Sequence, residues 1–160
     1  MSESRTYAPV VAEVTVPAGL ARAFELYTVE QASWVTEGHW LGDERPAAIV
    51  FEPTTGGRWY ERQPDGTECD WGRVLEWDAP ERLLLAWMIG GDWQFDSDVE
   101  RASRVEITFT EVAAGQTVLR VVHSAFEAHG DGGESVARGV GSVSDGWQAD
   151  LNGLVAFATT

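Results

Sequence analysis

The chain has 160 residues, of which 44% are hydrophobic and 23% charged, and it contains eight tryptophans. This is the size and composition of one folded domain with an aromatic-rich core. The formal net charge is -15, and the 11 basic residues are all arginines, scattered among 26 acids. A basic face for nucleic acid or for an anionic membrane surface is therefore not expected. Without lysine the chain has no side-chain amine for Schiff-base chemistry.

The sequence predicts a cytoplasmic protein. Cys69 is the single cysteine, so no intramolecular disulfide can form. The first residues lack the apolar run of a signal peptide, and no stretch has the length of a membrane span. Carboxylates on both sides of Cys69 disfavour its thiolate, so we do not expect a reactive cysteine.

The first part of the chain has the pattern of a strand followed by two short helices. Residues 10–16 alternate apolar and polar side chains, which predicts a strand. Leu20, Phe24 and Tyr27 then recur at spacings of four and three, which places them on one face of a helix. A second short helix is expected at 30–35, with Trp34 pointing inward.

Six further strands and a C-terminal helix follow. Segments rich in Gly, Pro and Asp separate the strands and predict tight turns, so consecutive strands should form an antiparallel meander. The predicted strands are 47–52, 57–63, 68–77, 82–89, 104–112 and 116–123. From about Gly139 the apolar spacing becomes helical, and its apolar stripe comprises Val140, Val143, Trp147, Leu151 and Leu154.

These elements predict one α+β domain over 1–160, in which a curved antiparallel sheet wraps around the long C-terminal helix. A single curved layer around one helix leaves a space that side chains either fill or line as an apolar cavity. The sequence therefore predicts binding of a small hydrophobic molecule rather than catalysis, with no cofactor and no metal. The predicted ligand-binding residues are Trp34, Phe51, Trp59, Glu61, Trp87, Ile89, Val105, Ile107, Phe109, Val121, His123, Phe126, Trp147 and Leu151.

Strand parity supports most of these assignments. Arg58 and Arg62 mark an outer face, which turns Trp59 and Glu61 inward. The strand 82–89 is apolar on both faces, and we assign its Trp87 face to the interior. The direction of Trp71 stays open. An apolar outer face is also typical of a dimer contact, so the chain is expected to be a monomer or a homodimer.

Common catalytic and nucleotide-binding motifs are absent from the sequence. With three histidines and one cysteine, a tetrahedral zinc site would need carboxylates, and we predict none. His123 and Glu61 are the candidates for acid–base chemistry inside the cavity, although a buried structural histidine is the simpler interpretation of His123.

Several short motifs, in this order, resemble one known family. They are Gly56-Gly57-Arg58-Trp59, Trp71-Gly72-Arg73-Val74, Pro80-Glu81-Arg82-Leu83, His123-Ser124-Ala125-Phe126 and Gly146-Trp147. Over about residues 8–158 the chain resembles the Hsp90-ATPase-activator-homologue 1-like branch of the START/Bet v 1-like (SRPBCC) superfamily. The resemblance implies the helix-grip fold.

Within that family the chain is similar to proteins that protect producers from enediynes by self-sacrifice. The resemblance implies binding of an aromatic, polyketide-like or enediyne-like molecule, for antibiotic resistance or for natural-product biosynthesis. In a self-sacrificing protein a backbone glycine is cleaved, and Gly115 or Gly130 would be the candidate here. One alternative is a polyketide cyclase-like enzyme that uses inward acid–base residues. A second is an interaction with an Hsp90-type chaperone.

Overall fold

One seven-stranded antiparallel sheet forms the framework of the protein. The structure, a computed structural model, describes residues 7–142 and 146–160. The sheet order is β1-β7-β6-β5-β4-β3-β2. The strands are β1 (Val10–Val16), β2 (Ala48–Phe51), β3 (Arg58–Arg62), β4 (Glu68–Asp78), β5 (Arg82–Trp87), β6 (Ser103–Ala113) and β7 (Gln116–Ser124). Each predicted strand is present. The predicted bounds exceed the observed strand by one residue at each end of 47–52 and 57–63, and by two residues at the end of 82–89.

Four α-helices and two 3-10 segments complete the described chain. The α-helices are α1 (Leu20–Thr28), α2 (Gln31–Trp34), α3 (Gly133–Val140) and α4 (Trp147–Ala158), and the 3-10 segments are Val99–Arg101 and Phe126–Gly132. The sheet curls into a half-barrel around the C-terminal helix, so the predicted helix-grip fold is confirmed. None of the helices in the described ranges has the length and apolar character needed to cross a bilayer.

The concave face of the sheet carries the core. In β6 the side chains of Val105, Ile107 and Phe109 are buried and alternate with more exposed residues, as expected for a sheet with one face on the core. Leu151 and Leu154 of α4 are fully buried in the same cluster. At its start α4 is tied to β1, because the Gln148 side chain accepts from Glu13 N at 3.3 Å and donates to Glu13 O at 3.2 Å.

The C-terminal helix differs from its prediction in where it begins. It begins at Trp147, and Val140 ends a separate helix, α3, which the periodicity did not predict. Gly146 is the N-cap of α4: it has an extended backbone, and a Cβ at this position would lie 2.1 Å from the Val140 carbonyl oxygen. The predicted stripe residue Val143 lies outside the described residues.

The apolar outer face of β5 is covered by the chain itself. Ala86 and Met88 are buried on that side against Ala102, with Leu75 and Phe95 packed around them. Leu85 and Ile89 belong to the main core on the other side, which confirms the orientation assigned to this strand. Burial of Ala86 and Met88 therefore does not require a second copy.

Gly72 in β4 packs closely against the backbone of β5. A Cβ on Gly72 would lie 1.9 Å from the Ala86 carbonyl oxygen, a backbone atom that cannot swing aside. We expect Gly72→Ala to lower the free energy of unfolding by about 1–3 kcal/mol through overpacking. Urea unfolding checks this, with Gly90→Ala as the control because its Cβ would lie 3.3 Å from the Asp92 side chain and 3.9 Å from the Gln94 carbonyl oxygen, far from a backbone clash. Equal losses in the two variants would contradict the proposed clash.

Candidate functional site

A cavity of about 660 Å³ opens between the sheet, the loop that follows α2, and the facing ends of α3 and α4. Its apolar wall is formed mostly by indole rings; it comprises Trp40, Leu41, Trp59, Trp71, Trp87, Ile89, Trp93, Val140 and Trp147. The polar side chains in the wall are Gln31, His39, Ser135, Arg138, Ser142 and Asp150. An apolar wall with a few polar groups is typical of small-molecule sites.

Four of the predicted ligand-binding residues line this cavity, namely Trp59, Trp87, Ile89 and Trp147. The other ten are buried without being part of its described wall. They are Trp34, Phe51, Glu61, Val105, Ile107, Phe109, Val121, His123, Phe126 and Leu151. Strand parity and helical spacing identified side chains as inward-facing, but neither pattern separates residues that fill the core from residues that border an open space.

Trp71 reaches the cavity because of a β-bulge. Trp59 pairs with Gly72 and Tyr60 pairs with Asp70, which leaves Trp71 as an extra residue in β4. A bulge re-aims side chains, and here Trp71 and Val74 both join the main core whereas Leu75 lies on the outer side. Simple alternation would place Trp71, Arg73, Leu75 and Trp77 on one face. A second register shift, between Val74 and Glu76, separates Leu75 on the outer side from Trp77 in the main core.

The loop after α2 contributes residues that the sequence analysis missed, including His39, Trp40 and Leu41. Trp93, on another loop, has a positive φ of 61° and packs over Gly139, where a Cβ would lie 2.5 Å from the indole. The sequence did contain a signal for these residues. Trp40 and Trp93 each lie in a turn-rich segment, and a large aromatic side chain there buries much apolar area when it packs against the rest of the protein.

Glu61 holds the loop after α2 instead of facing the cavity. Its buried carboxylate accepts hydrogen bonds from the backbone N–H of Leu41 and of Gly42, the latter at 3.1 Å. It also accepts from Trp71 Nε1 at 2.8 Å and from Gln63 Nε2 at 2.6 Å. Four donors occupy the two oxygens, so Glu61 is a structural anchor rather than the acid–base residue predicted from the sequence.

His123 is also fully engaged by protein partners. Its Nδ1 accepts from Trp147 Nε1 at 3.0 Å, and its Nε2 lies 2.7 Å from Ser103 Oγ. Because an indole N–H only donates, the proton of the neutral imidazole is on Nε2 and is donated to Ser103. Ser103 Oγ lies 2.7 Å from His129 Nε2 and donates onward.

This network keeps His123 neutral. Burial lowers its pKa to about 3, and the nearby His129 adds to the decrease. Burial also lowers the pKa of His129. His123 does not line the described cavity, and both of its ring nitrogens are bonded to protein side chains, so the structure does not support the acid–base role predicted for His123.

A different histidine belongs to the cavity wall. His39 Nδ1 lies 2.9 Å from Asp150 Oδ1, and the same oxygen accepts from Thr36 N at 3.1 Å. The His39 side chain is 24% exposed and that of Asp150 is 14% exposed. Among the described residues of the wall, these two form the acid–base pair.

Two further polar atoms of the wall residues have no protein partner. Trp59 Nε1 and Gln31 Oε1 are buried and make no hydrogen bond. A buried polar group without a partner costs about 1–3 kcal/mol. Tyr27 Oη is the third such atom among the described residues, and burial raises the pKa of Tyr27.

Gly115 and Gly130 occupy turn positions. Their φ angles are 73° and 69°, and a Cβ on either would meet nothing within 4 Å. Gly115 lies in the β6–β7 hairpin and Gly130 lies in the 3-10 segment that follows β7. Neither borders the described cavity, and their role in a cleavage reaction stays a prediction.

Comparison with known proteins points to one family. The family model for "Activator of Hsp90 ATPase homolog 1-like protein" matches residues 18–159. An anthrahydroquino-gamma-pyrone synthase, Txn09, has a structure with a TM-score of 0.67 and 36% sequence identity, over 94% of this chain and 97% of that chain. No match is found among curated protein sequences.

Two other similar structures are a resistance protein and a protein of a biosynthetic locus. The self-sacrificing resistance protein CalC from Micromonospora echinospora has a TM-score of 0.67 and 24% identity, over 94% of this chain and 93% of that chain. DynU16, a putative protein of the dynemicin biosynthetic locus, has a TM-score of 0.59 and 26% identity, over 95% of this chain but only 47% of its own length. With a family model that spans nearly the whole chain, the protein belongs to the Activator of Hsp90 ATPase homolog 1-like family of the SRPBCC superfamily.

Proposed function

We propose that the protein binds a hydrophobic, aromatic small molecule of the polyketide or enediyne type in the cavity beside α4. The observation that carries the proposal is the wall itself, in which Trp59, Trp71, Trp87 and Trp147 surround an open space of about 660 Å³. Pockets of 300–1,000 Å³ hold drug-sized ligands. Rigid indole faces suit flat, polycyclic molecules because they stack at low entropic cost.

The synthase with 36% identity supports the chemical class, since its name describes a polycyclic aromatic product. A role in natural-product biosynthesis or in resistance by sequestration is consistent with such a ligand. The likeness to CalC concerns the fold, so self-sacrifice enters as an outcome to be tested. We place this function in the cytoplasm, for a monomer or a homodimer.

Replacement of a cavity indole tests the proposal directly. Trp87 lies in the wall, where its ring contacts Trp59 at 5.9 Å and Trp147 at 5.7 Å between centroids. We expect wild type to bind a polycyclic quinone such as anthraquinone with unit stoichiometry. Trp87→Leu should weaken binding by about tenfold, because an aromatic contact contributes about 0.5–1.5 kcal/mol beyond the area it buries. Isothermal calorimetry measures both affinities.

Trp77→Leu is the matched control. Trp77 is also partly buried in the main core, where it packs against Phe24 at 5.3 Å, but it is not part of the cavity wall. Equal loss of affinity in the two variants, or no binding by wild type, would refute the proposed site. Intact-mass measurement after exposure to an enediyne distinguishes retention of a ligand from cleavage of the chain at a glycine.

A further inference from the structure

A histidine–aspartate pair lies in the wall of the cavity proposed as the ligand site. His39 is on the loop after α2, Asp150 is in the first turn of α4, and their side chains meet at 2.9 Å. Around them the described wall is largely apolar and contains no other imidazole and no other carboxylate. An acid–base pair in such surroundings is typical of a site for proton transfer.

Both residues are held in place by contacts outside the pair. Asp150 Oδ1 also accepts the Thr36 N–H at 3.1 Å, which ties α4 to the start of the loop. Beyond His39, the backbone N–H groups of Leu41 and Gly42 are bonded to the Glu61 carboxylate. Arg45 donates to the Ala32 and Val35 carbonyls at 3.0 and 3.2 Å and closes the far end of the loop. The loop therefore presents His39 from a fixed backbone.

The geometry sets the proton arrangement of the pair. A carboxylate only accepts, so Nδ1 of His39 donates its proton to Asp150, and Nε2 is the nitrogen that exchanges protons in a reaction. Asp150 orients the ring and stabilises the imidazolium that forms when Nε2 takes up a proton. His39 and Asp150 thus bring acid–base groups to the cavity wall, where the sequence offered His123 and Glu61 as candidates.

We propose that His39, oriented by Asp150, removes a proton from a carbon that lies between two carbonyl groups of the bound ligand. The inference rests on the proposed function, because carbons of this kind are the acidic positions of polyketide chains. The carbon–hydrogen bond breaks, its electron pair delocalises onto the carbonyl oxygens as an enolate, and an N–H bond forms at Nε2. Return of a proton from Nε2 to carbon reverses the step, so no oxidant or second reactant is required.

Hydrogen–deuterium exchange on a small carbon acid tests this activity. Benzoylacetone carries an aromatic ring and one carbon between two carbonyls, and NMR follows loss of its methylene protons in deuterated buffer. We expect the wild-type chain to accelerate the exchange, and His39→Gln to lower the catalysed rate at least about 100-fold, the usual contribution of a general base. Asp150→Asn should lower it by about 10- to 100-fold, as removal of a carboxylate that orients a histidine does in metal sites.

Binding is measured separately, by calorimetry with the same probe, and should be retained in both variants. His129→Gln is the matched control, because His129 is bonded to Ser103 and does not line the cavity. This variant should catalyse the exchange of benzoylacetone as fast as wild type does. Free imidazole added to His39→Gly should restore part of the exchange. A histidine with a purely structural role would give no such rescue.

The outcomes separate this inference from the proposed function. If wild type binds benzoylacetone without accelerating exchange, or if His39→Gln exchanges as fast as wild type, the catalytic assignment fails and the binding function stands. If neither benzoylacetone nor anthraquinone binds to wild type, both fail together. Where His39→Gly does not fold by circular dichroism, the comparison of wild type with His39→Gln and Asp150→Asn decides.

Discussion

Glu61→Leu is expected to lower the free energy of unfolding by about 3–5 kcal/mol, because it leaves four N–H donors without their acceptor and each unsatisfied buried polar group costs about 1–3 kcal/mol. The Glu61 carboxylate is fully buried and accepts from Leu41 N, Gly42 N, Trp71 Nε1 and Gln63 Nε2. Leucine offers none of these donors an acceptor. Urea unfolding followed by circular dichroism measures the loss.

The same substitution should release the loop that carries His39. Amide hydrogen exchange of Leu41 and Gly42 is expected to accelerate far more than that of the α4 core. Glu127→Leu, at an exposed position, is the control and should change stability by no more than about 0.5 kcal/mol. A Glu61→Leu protein as stable as this control would show that the loop does not depend on the carboxylate.

The second large effect concerns pH and His123. In the unfolded chain His123 has an ordinary pKa near 6.5, whereas burial lowers its pKa to about 3 in the folded protein. Between these values the unfolded state binds a proton that the folded state does not. Stability is therefore complete above about pH 6.5 and falls as pH decreases, by up to about 1.4 kcal/mol per pH unit.

Urea unfolding measures this slope when it is repeated at pH values from about 7 to about 4.5, because this range includes the pKa of histidine in the unfolded chain. His129 contributes in the same direction, since burial lowers its pKa also. His123→Gln removes the titrating group. The amide of the introduced glutamine still offers an oxygen that accepts from Trp147 and an N–H that donates to Ser103. We expect a clearly shallower slope in this variant. Parallel curves for the two proteins would contradict a neutral, buried His123.

The sequence was sufficient for the strands and for most of the core. Alternation in β6, and Arg120 as the marker of the outer face of β7, identified Val105, Ile107, Phe109, Val121 and His123 as inward-facing, and all are buried. Parity works here because one face of each strand lies against the core while the other is more polar. The family resemblance supplied the order in which the elements pack.

The cavity was harder to predict, because its wall depends on features that alternation does not encode. A bulge turned Trp71 inward, and loops brought His39 and Trp93 to the opening. Whether an inward residue fills the core or borders the cavity depends on how neighbouring elements pack. Phe109 is buried in the core, whereas Trp87 lines the cavity. Likewise, His123 and Glu61 were recognised as buried polar groups, but their partners Ser103 and Leu41 are brought to them only by the tertiary fold.

The close spacing of the indoles has a photophysical consequence. Trp59 lies 5.5 Å from Trp71 and 5.9 Å from Trp87, and Trp87 lies 5.7 Å from Trp147, between ring centroids. Excitation absorbed by one of these rings therefore migrates among all four before emission, which depolarises their fluorescence. A bound quinone that accepts energy or an electron from any one of these rings therefore quenches the fluorescence of all four. The quenching reports the presence of a ligand in the cavity without identifying the indole that it contacts.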